Sequence, residues 1–355
     1  MTSIYRGGTM TEDWSGRSTI ERFDQRTGAR FVICVDSTEN GPAAGGTRAA
    51  QYTDRRSAVA DAQRLAGAMT LKMAVCGLPM GGGKSVISLP AARADLSDGD
   101  WTRILAIHAE NIEMLGGTYW TGPDVNTTSS DMDVIARTTR YVFGRSAAAG
   151  GVGSSAPTTA LGVHSAMRAT ARHLGWRGLE GRTVLVQGIG AVGADLARRA
   201  AEDGARVLVA DPSPARLQDA ERLGYEVIRT SDVLVTPCDV FAPCAMGGIL
   251  DSRAAQQLPA RAVVGAANNT LVDDSVAQVL ADRGVLFAPD FVANAGGALH
   301  LVGREVLGWN AGQVEERTIG LGAIIGAIFE LAEGEGITSV AAARRIAADR
   351  TAVAS

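Results

Sequence analysis

A glycine turn set between a strand and a helix constrains this chain more than any other feature. Gly188-Ile189-Gly190-Ala191-Val192-Gly193 follows the β-prone run Thr183-Val184-Leu185-Val186-Gln187 and opens a helical stretch from about Ala191 to Asp203. A lone G-x-G-x-x-G says little in a chain with 43 glycines. Its setting says more. The first glycine permits a tight turn, the second lets backbone approach a pyrophosphate, and the third allows close helix–strand packing, with the helix N-terminus facing the phosphates. Asp211 lies 18 residues beyond Gly193, at the end of the next strand. A carboxylate there would accept hydrogen bonds from an adenosine ribose. Strand, turn, helix and acid together predict a dinucleotide site at Gly188, Ile189, Gly190, Ala191, Val192, Gly193 and Asp211. An acid repels a 2′-phosphate, so NAD is expected over NADP. Arg216, one helical turn on, could soften that preference, but reads as a solvated surface arginine.

The surrounding sequence fits such a fold. Between residues 183 and 288, short β-branched runs alternate with helical ones: 183–187, 206–210, 227–228, 239–242, 262–265 and 286–288. This alternation predicts a doubly wound parallel sheet, the Rossmann arrangement. The texture before residue 145 differs. Thr19–Phe23 and Arg30–Val35 read as a hairpin turned at Thr27-Gly28, and Arg55–Val75 as an amphipathic helix capped by Thr53 or Asp54. Three stretches read as loops: Gly41–Thr47, the glycine run before a strand at Ser85–Leu89, and Thr121–Thr127. Further helices are expected from about Asp100 to Leu115, near Ser130, and from about Gln313 to Ala354. The fold class is therefore α/β with two domains separated by a cleft. Residues 1–145 form the first, joined by a C-terminal helix from about 326, and 146–325 form the Rossmann domain. The Gly-, Ala- and Ser-rich segment 145–155 would serve as a hinge.

Bulk properties exclude several function classes. Net charge is −4 and the basic residues are dispersed, which gives no footprint for nucleic acid or an anionic membrane. No apolar stretch approaches the ~18 residues needed to span a bilayer, and nothing resembles a signal peptide. The cysteines (Cys34, Cys76, Cys238 and Cys244) lack C-x-x-C spacing and read as reduced thiols of a cytoplasmic protein. The histidines show no metal-ligand spacing, so no metal site is expected. The first ten residues are expected to fray.

The chain has two lysines, Lys72 and Lys84, against 32 arginines. Both flank Pro79-Met80-Gly81-Gly82-Gly83. Arginine cannot release its proton in a protein, whereas lysine can when buried or crowded. Two amines near each other would lower one another's proton affinity, as would burial. With Asp124 on the Gly122-Pro123-Asp124 turn, they form a set able to hold a carboxylate, bind an amine and move protons. Asp124 by itself reads equally well as a turn residue.

The motifs around these residues resemble those of the glutamate/leucine/phenylalanine/valine dehydrogenase family. The likeness runs in order through Gly41–Arg48, Met69–Ala74, Gly77–Ser85, Thr121–Thr127, Gly265–Asn269 and Asp290–Gly297. It implies that Lys72, helped by backbone at Gly45 and Gly46, binds the substrate α-carboxylate. It implies that Lys84 is the general base and that Asp124 holds the amino group. Thr159, Cys244, Ala245, Met246 and Ala266 would line the cofactor cleft, with Asn268 between nicotinamide and substrate. The implied reaction is NAD-dependent oxidative deamination of an amino acid to a 2-oxo acid and ammonia by a homo-oligomeric enzyme. The likeness is expected to extend to members that use L-phenylalanine. Ala44, Gly122 and Ala298 are small where leucine-preferring relatives carry more volume, and Met69, Pro123 and Leu301 would add apolar contact. Room for a ring predicts L-phenylalanine and phenylpyruvate, with leucine or valine as the alternative. Two other readings remain at this point, a Schiff-base enzyme using Lys84 and a non-catalytic NAD-binding sensor.

Overall fold

The computed structural model describes residues 14–354, so the first ten residues lie outside it. Two compact units emerge. The first comprises the chain up to Gly153, Leu301–Gly308 and the segment from Ala347; the second comprises Ser154–His300 and Trp309–Ile346. From sequence the change was expected at 145, and the tail was expected to join the first unit from about 326.

In the first unit the order is β1 (Ser18–Phe23), β2 (Arg30–Val35), β3 (Ala43–Ala50), α1 (Arg55–Val75), β4 (Gly81–Ser88), α2 (Asp98–Glu113), β5 (Tyr119–Pro123) and α3 (Ser129–Ile135). The sheet runs β1-β2-β4-β3-β5. Side chains on β2 alternate between its faces. Val32 and Cys34 pack with Ala58, Val59, Ala62 and Ala66 of α1. Phe31, Ile33 and Val35 join Trp101, Ile104 and Leu105 of α2 and Met132 of α3. Asp54 caps α1 by accepting from the Ser57 N–H at 2.7 Å.

Three stretches read as loops are strand here. Gly45 and Gly46 lie within β3, Lys84 within β4, and Gly122 within β5. The glycines serve close packing. A Cβ on Gly81 would meet the Ser37 carbonyl oxygen at 1.9 Å, one on Gly82 the Thr70 nitrogen at 2.1 Å, and one on Gly83 the Tyr119 ring at 2.8 Å.

The second unit contains α4 (Ala156–His173), β6 (Thr183–Gln187), α5 (Ala191–Glu202), β7 (Arg206–Ala210), α6 (Pro214–Arg222), β8 (Glu226–Val227), β9 (Val240–Pro243), α7 (Ser252–Gln257), β10 (Ala262–Val263), α8 (Ser275–Asp282) and β11 (Leu286–Phe287). The remaining helices of the chain are α9 (Asp290–Ala293), α10 (Gly296–Glu305), α11 (Ala311–Glu335) and α12 (Ser339–Ala354). Gly336, at φ 66°, breaks the expected continuous helical tail. The sheet order is β11-β10-β9-β6-β7-β8, and every strand pairing is parallel. The order reverses between β6 and β9. In open α/β sheets, ligands bind at the carboxyl ends of the strands flanking such a switch. No helix among the described residues is long and apolar enough to cross a membrane.

Candidate functional site

Lys84 sits mid-strand in β4, opposite Cys34 of β2, and is 5% exposed. Its Nζ lies 3.1 Å from Asp124 Oδ2. The turn after β5 holds Asp124. Its N–H donates to Thr127 Oγ1 at 2.9 Å, and that hydroxyl donates to the Thr47 carbonyl at 2.8 Å. Gly46 makes the approach possible, because a Cβ there would come within 2.9 Å of the Asp124 Cβ. Gly46 thus shapes the carboxylate's seat, and the Gly45 carbonyl accepts from the Tyr119 hydroxyl at 2.8 Å.

A residue that sequence reasoning missed completes the cluster. Arg48 of β3 donates from Nε to the same Asp124 oxygen at 2.9 Å and from Nη1 to Asp61 Oδ2 at 3.1 Å. Asp61 is 4% exposed and lies on α1 among its buried residues Ala58, Ala62 and Leu65. An acid on an apolar helix face was the available signal. Burial drives the Lys84 amine well below the ordinary lysine range; Asp124 opposes this and Arg48 reinforces it. The Arg48 guanidinium is therefore a cation that crowds the Lys84 amine. Burial pushes the Asp124 carboxyl up, but Lys84 and Arg48 outweigh it and hold the group down at about 2.

Lys72 lies in the last turn of α1, half-buried, three residues from Met69. The side chain of Met69 packs against Gly45, where a Cβ would come within 3.2 Å of its Cγ. Gly122, Pro123 and Leu301 also gather. A Cβ on Gly144 would lie 2.5 Å from the Pro123 Cδ and 3.6 Å from a Leu301 methyl. The room at Gly122 is filled by the protein itself, since a Cβ there would lie 2.2 Å from the Phe143 ring. Ala44 is fully buried. The volume argument for a substrate ring therefore loses Gly122, whose missing side chain accommodates Phe143. Ala298 is half-buried and belongs to the second unit.

In that unit the turn after β6 fits a dinucleotide. Gly188 has φ 88°, a conformation that favours glycine, and a Cβ on it would strike Ala245 at 2.6 Å. On Gly193 a Cβ would meet the Gly188 carbonyl oxygen at 1.9 Å. Around Gly190 there is nothing within 4 Å of a built Cβ, and no side chain caps the start of α5. Open space over uncapped helical N–H groups suits a pyrophosphate. Ile189 is buried, Val192 half-buried and Ala191 exposed. Asp211 is buried and accepts from the Ile189 N–H and the Ser213 N–H, both at 2.9 Å. Arg216 reaches the same carboxylate at 3.4 Å although its side chain is 55% exposed. It is more than the solvated arginine expected.

The loop after β9 brings Cys244, Ala245 and Met246 beside this turn, with Met246 77% exposed. It interlocks with the loop after β10, because a Cβ on Gly247 would lie 2.1 Å from the Asn268 carbonyl oxygen. Ala266 is half-buried, and the exposed Asn268 accepts from Asn294 Nδ2 at 2.7 Å. Thr159, in the first turn of α4, donates to the Ser155 carbonyl at 3.0 Å. Among the described residues no group of three or more His, Cys, Asp or Glu side chains is placed to hold a metal ion.

Comparison with known proteins matches both units. Residues 23–141 fit the family model described as Glu/Leu/Phe/Val dehydrogenase, dimerisation domain, and residues 150–228 and 213–355 fit that of Glutamate/Leucine/Phenylalanine/Valine dehydrogenase. A leucine dehydrogenase from Thermoactinomyces intermedius is 37% identical over 92% of this chain and 88% of its own length. A valine dehydrogenase from Streptomyces albus is 40% identical over 93% of this chain and 91% of its own. The crystal structure of L-tryptophan dehydrogenase from Nostoc punctiforme superposes with a TM-score of 0.83 at 32% identity, covering 96% of this chain and 97% of that one.

Proposed function

The chain belongs to the glutamate/leucine/phenylalanine/valine dehydrogenase family, and we propose that it catalyses the reversible oxidative deamination of L-phenylalanine to phenylpyruvate and ammonia with NAD. The observation that carries the chemistry is the 3.1 Å contact between the buried Lys84 amine and Asp124. Lys72 holds the α-carboxylate as a fixed cation. Asp124 accepts hydrogen bonds from the α-amine and takes its proton. Bound NAD would supply the acceptor for the hydride that leaves Cα. Neutral Lys84 removes a proton from the water that adds to the resulting imine. Lys84 then passes that proton to solvent and is neutral again. The carbinolamine collapses: Asp124 returns its proton to the nitrogen, Lys84 takes the hydroxyl proton, and ammonia departs. Gly188, Gly190, Gly193 and Asp211 hold the dinucleotide, and Thr159, Cys244, Ala245, Met246, Ala266 and Asn268 surround its nicotinamide end. The match to a dimerisation domain supports a homo-oligomer built through the first unit.

The names of the leucine and valine dehydrogenases support a branched-chain preference as the second reading. A few methylenes in an apolar pocket discriminate by only about 1–3 kcal/mol, so substrates overlap. The deciding experiment compares kcat/KM for phenylalanine, tyrosine, leucine, valine and glutamate, each with NAD and NADP. Phenylalanine with NAD is expected to lead. A higher value for leucine or valine would replace the substrate, and one for NADP would replace the cofactor.

A further inference from the structure

We propose that Arg48, clamped by Asp61, is the positioning residue that keeps the Asp124 carboxylate charged and oriented to receive the substrate amine while Lys84 is without its proton, until the amine's proton passes to it. The inference rests on the roles given above to Lys84 and Asp124.

The argument begins from a conflict within the reaction. As the base, Lys84 must at some point be neutral. At that point it no longer compensates the carboxylate beside it. The Asp124 side chain is 20% exposed, and a carboxylate so enclosed gains proton affinity when left without a cation; a protonated Asp124 can no longer accept from the substrate amine. A second cation that never deprotonates resolves the conflict, and arginine is the side chain with that property. Arg48 is 7% exposed and reaches Asp124 Oδ2 with Nε at 2.9 Å.

The other end of the guanidinium is anchored as firmly. Nη1 donates to Asp61 Oδ2 at 3.1 Å. Asp61 is itself fixed, its Oδ2 accepting from the Tyr52 hydroxyl at 2.8 Å and its Oδ1 from Arg64 Nη2 at 2.7 Å. Arg48 therefore spans two carboxylates from a rigid strand, and its planar fork has little freedom to leave either. Both cations meet on Oδ2 of Asp124. The substrate amine is assigned to the other oxygen, Oδ1. The groups facing this cluster are Arg48 from β3, Tyr52 from the segment after it, Asp61 and Arg64 from α1, Lys84 from β4 and Tyr119 from β5.

Arg48 and Asp61 act on Lys84 with opposite signs, Arg48 disfavouring its charged form and Asp61 favouring it. The test therefore uses Arg48→Met, Arg48→Lys and Asp61→Asn in the full-length protein, with pH profiles of kcat/KM in the deamination direction and NADH affinity as a control. Arg48→Met is expected to move the acid limb upward by about one unit and to lower kcat at least tenfold, with NADH binding unchanged. Arg48→Lys restores the limb towards its original position. Asp61→Asn, which releases the clamp, lowers kcat less than Arg48→Met does, again with NADH binding unchanged. An acid limb and a kcat that stay in place in folded Arg48→Met protein overturn the proposal. Should Arg48→Met fail to fold, Arg48→Gln is read in the same way. Asp124→Asn separates the two levels: if it retains turnover, the underlying role of Asp124 is wrong. If it is inactive while the limbs do not move, only the positioning role falls.

Discussion

Two glycine-rich runs lie about a hundred residues apart and use the same residue for opposite ends. In Gly81-Gly82-Gly83 the missing side chains are replaced by other parts of the protein, with backbone or ring atoms 1.9–2.8 Å from where each Cβ would stand. In the turn Gly188–Gly193, the outer glycines are filled in the same way but the middle one faces open space. The first run draws α1 onto β4 and so fixes the strand that carries Lys84. The second leaves a surface that backbone N–H groups can offer to a ligand. Glycine content alone does not distinguish a packed strand from a binding turn; the neighbour of each missing Cβ does.

With the proposed function, that contrast places chemistry on the strand and affinity at the turn, and substitutions can break it. The largest effect is expected at Lys84. Lys84→Arg keeps the charge but cannot act as a base, so turnover should fall by roughly 10²–10⁴ while NADH still quenches or shifts fluorescence as before. Near-normal turnover would sink the assignment. Gly82→Ala places a methyl 2.1 Å from the backbone of Thr70. Overpacking of this kind costs about 3 kcal/mol, to be read as a drop in the urea midpoint. Lys72→Ala should raise the amino-acid KM roughly 10- to 100-fold, the equivalent of a lost charge-assisted hydrogen bond of about 1.5–3 kcal/mol, with a much smaller change in kcat. An unchanged KM would remove Lys72 from the carboxylate site. Gly190→Ala should leave stability within about 0.5 kcal/mol, because the space is open. Its NADH Kd should still rise about tenfold, near 1.4 kcal/mol. If instead stability falls and Kd holds, the turn is packed like the strand and the contrast fails.

Acid sharpens the strand side. Asp124 sits at about 2 in the folded chain against an ordinary 3.8. A lowered carboxyl stabilises the fold above its unfolded value and loses that contribution as pH falls through the folded one. The stability gap between the parent and Asp124→Asn should therefore be complete above about pH 4 and close towards pH 2.

Sequence patterns reveal local order well here and tertiary proximity poorly. The Asp54 cap and the spacing of Val59, Ala62 and Ala66 set α1 at Arg55–Val75, as the structure has it. The β-branched run Thr183–Gln187 is likewise β6. Glycine's weak strand propensity hid β3, the start of β4 and β5, since propensity cannot register a neighbouring backbone that only a glycine admits. Lys84 and Asp124 stood out by residue type and motif. Arg48 was one of 32 arginines, and nothing local marks an arginine as buried. Gly122 was legible as small but not as already filled, because Phe143 reaches it from 21 residues away.

The scarcity of lysine has a practical side. Most proteins carry amines over their surface, and crosslinkers, dyes and resins attach there. Here neither lysine is exposed: Lys84 is 5% accessible and Lys72 half-buried. The lysine side-chain amines are thus those of the proposed site itself. Reductive methylation with isotopic formaldehyde would turn each lysine it reaches into an NMR reporter, with the N-terminal amine as the other primary amine it labels. One signal would track carboxylate binding and the other proton release. For the same reason, tethering this protein through lysine would consume the amines of the proposed site. A support that grips arginine, carboxylates or an added tag is the chemistry its surface accepts.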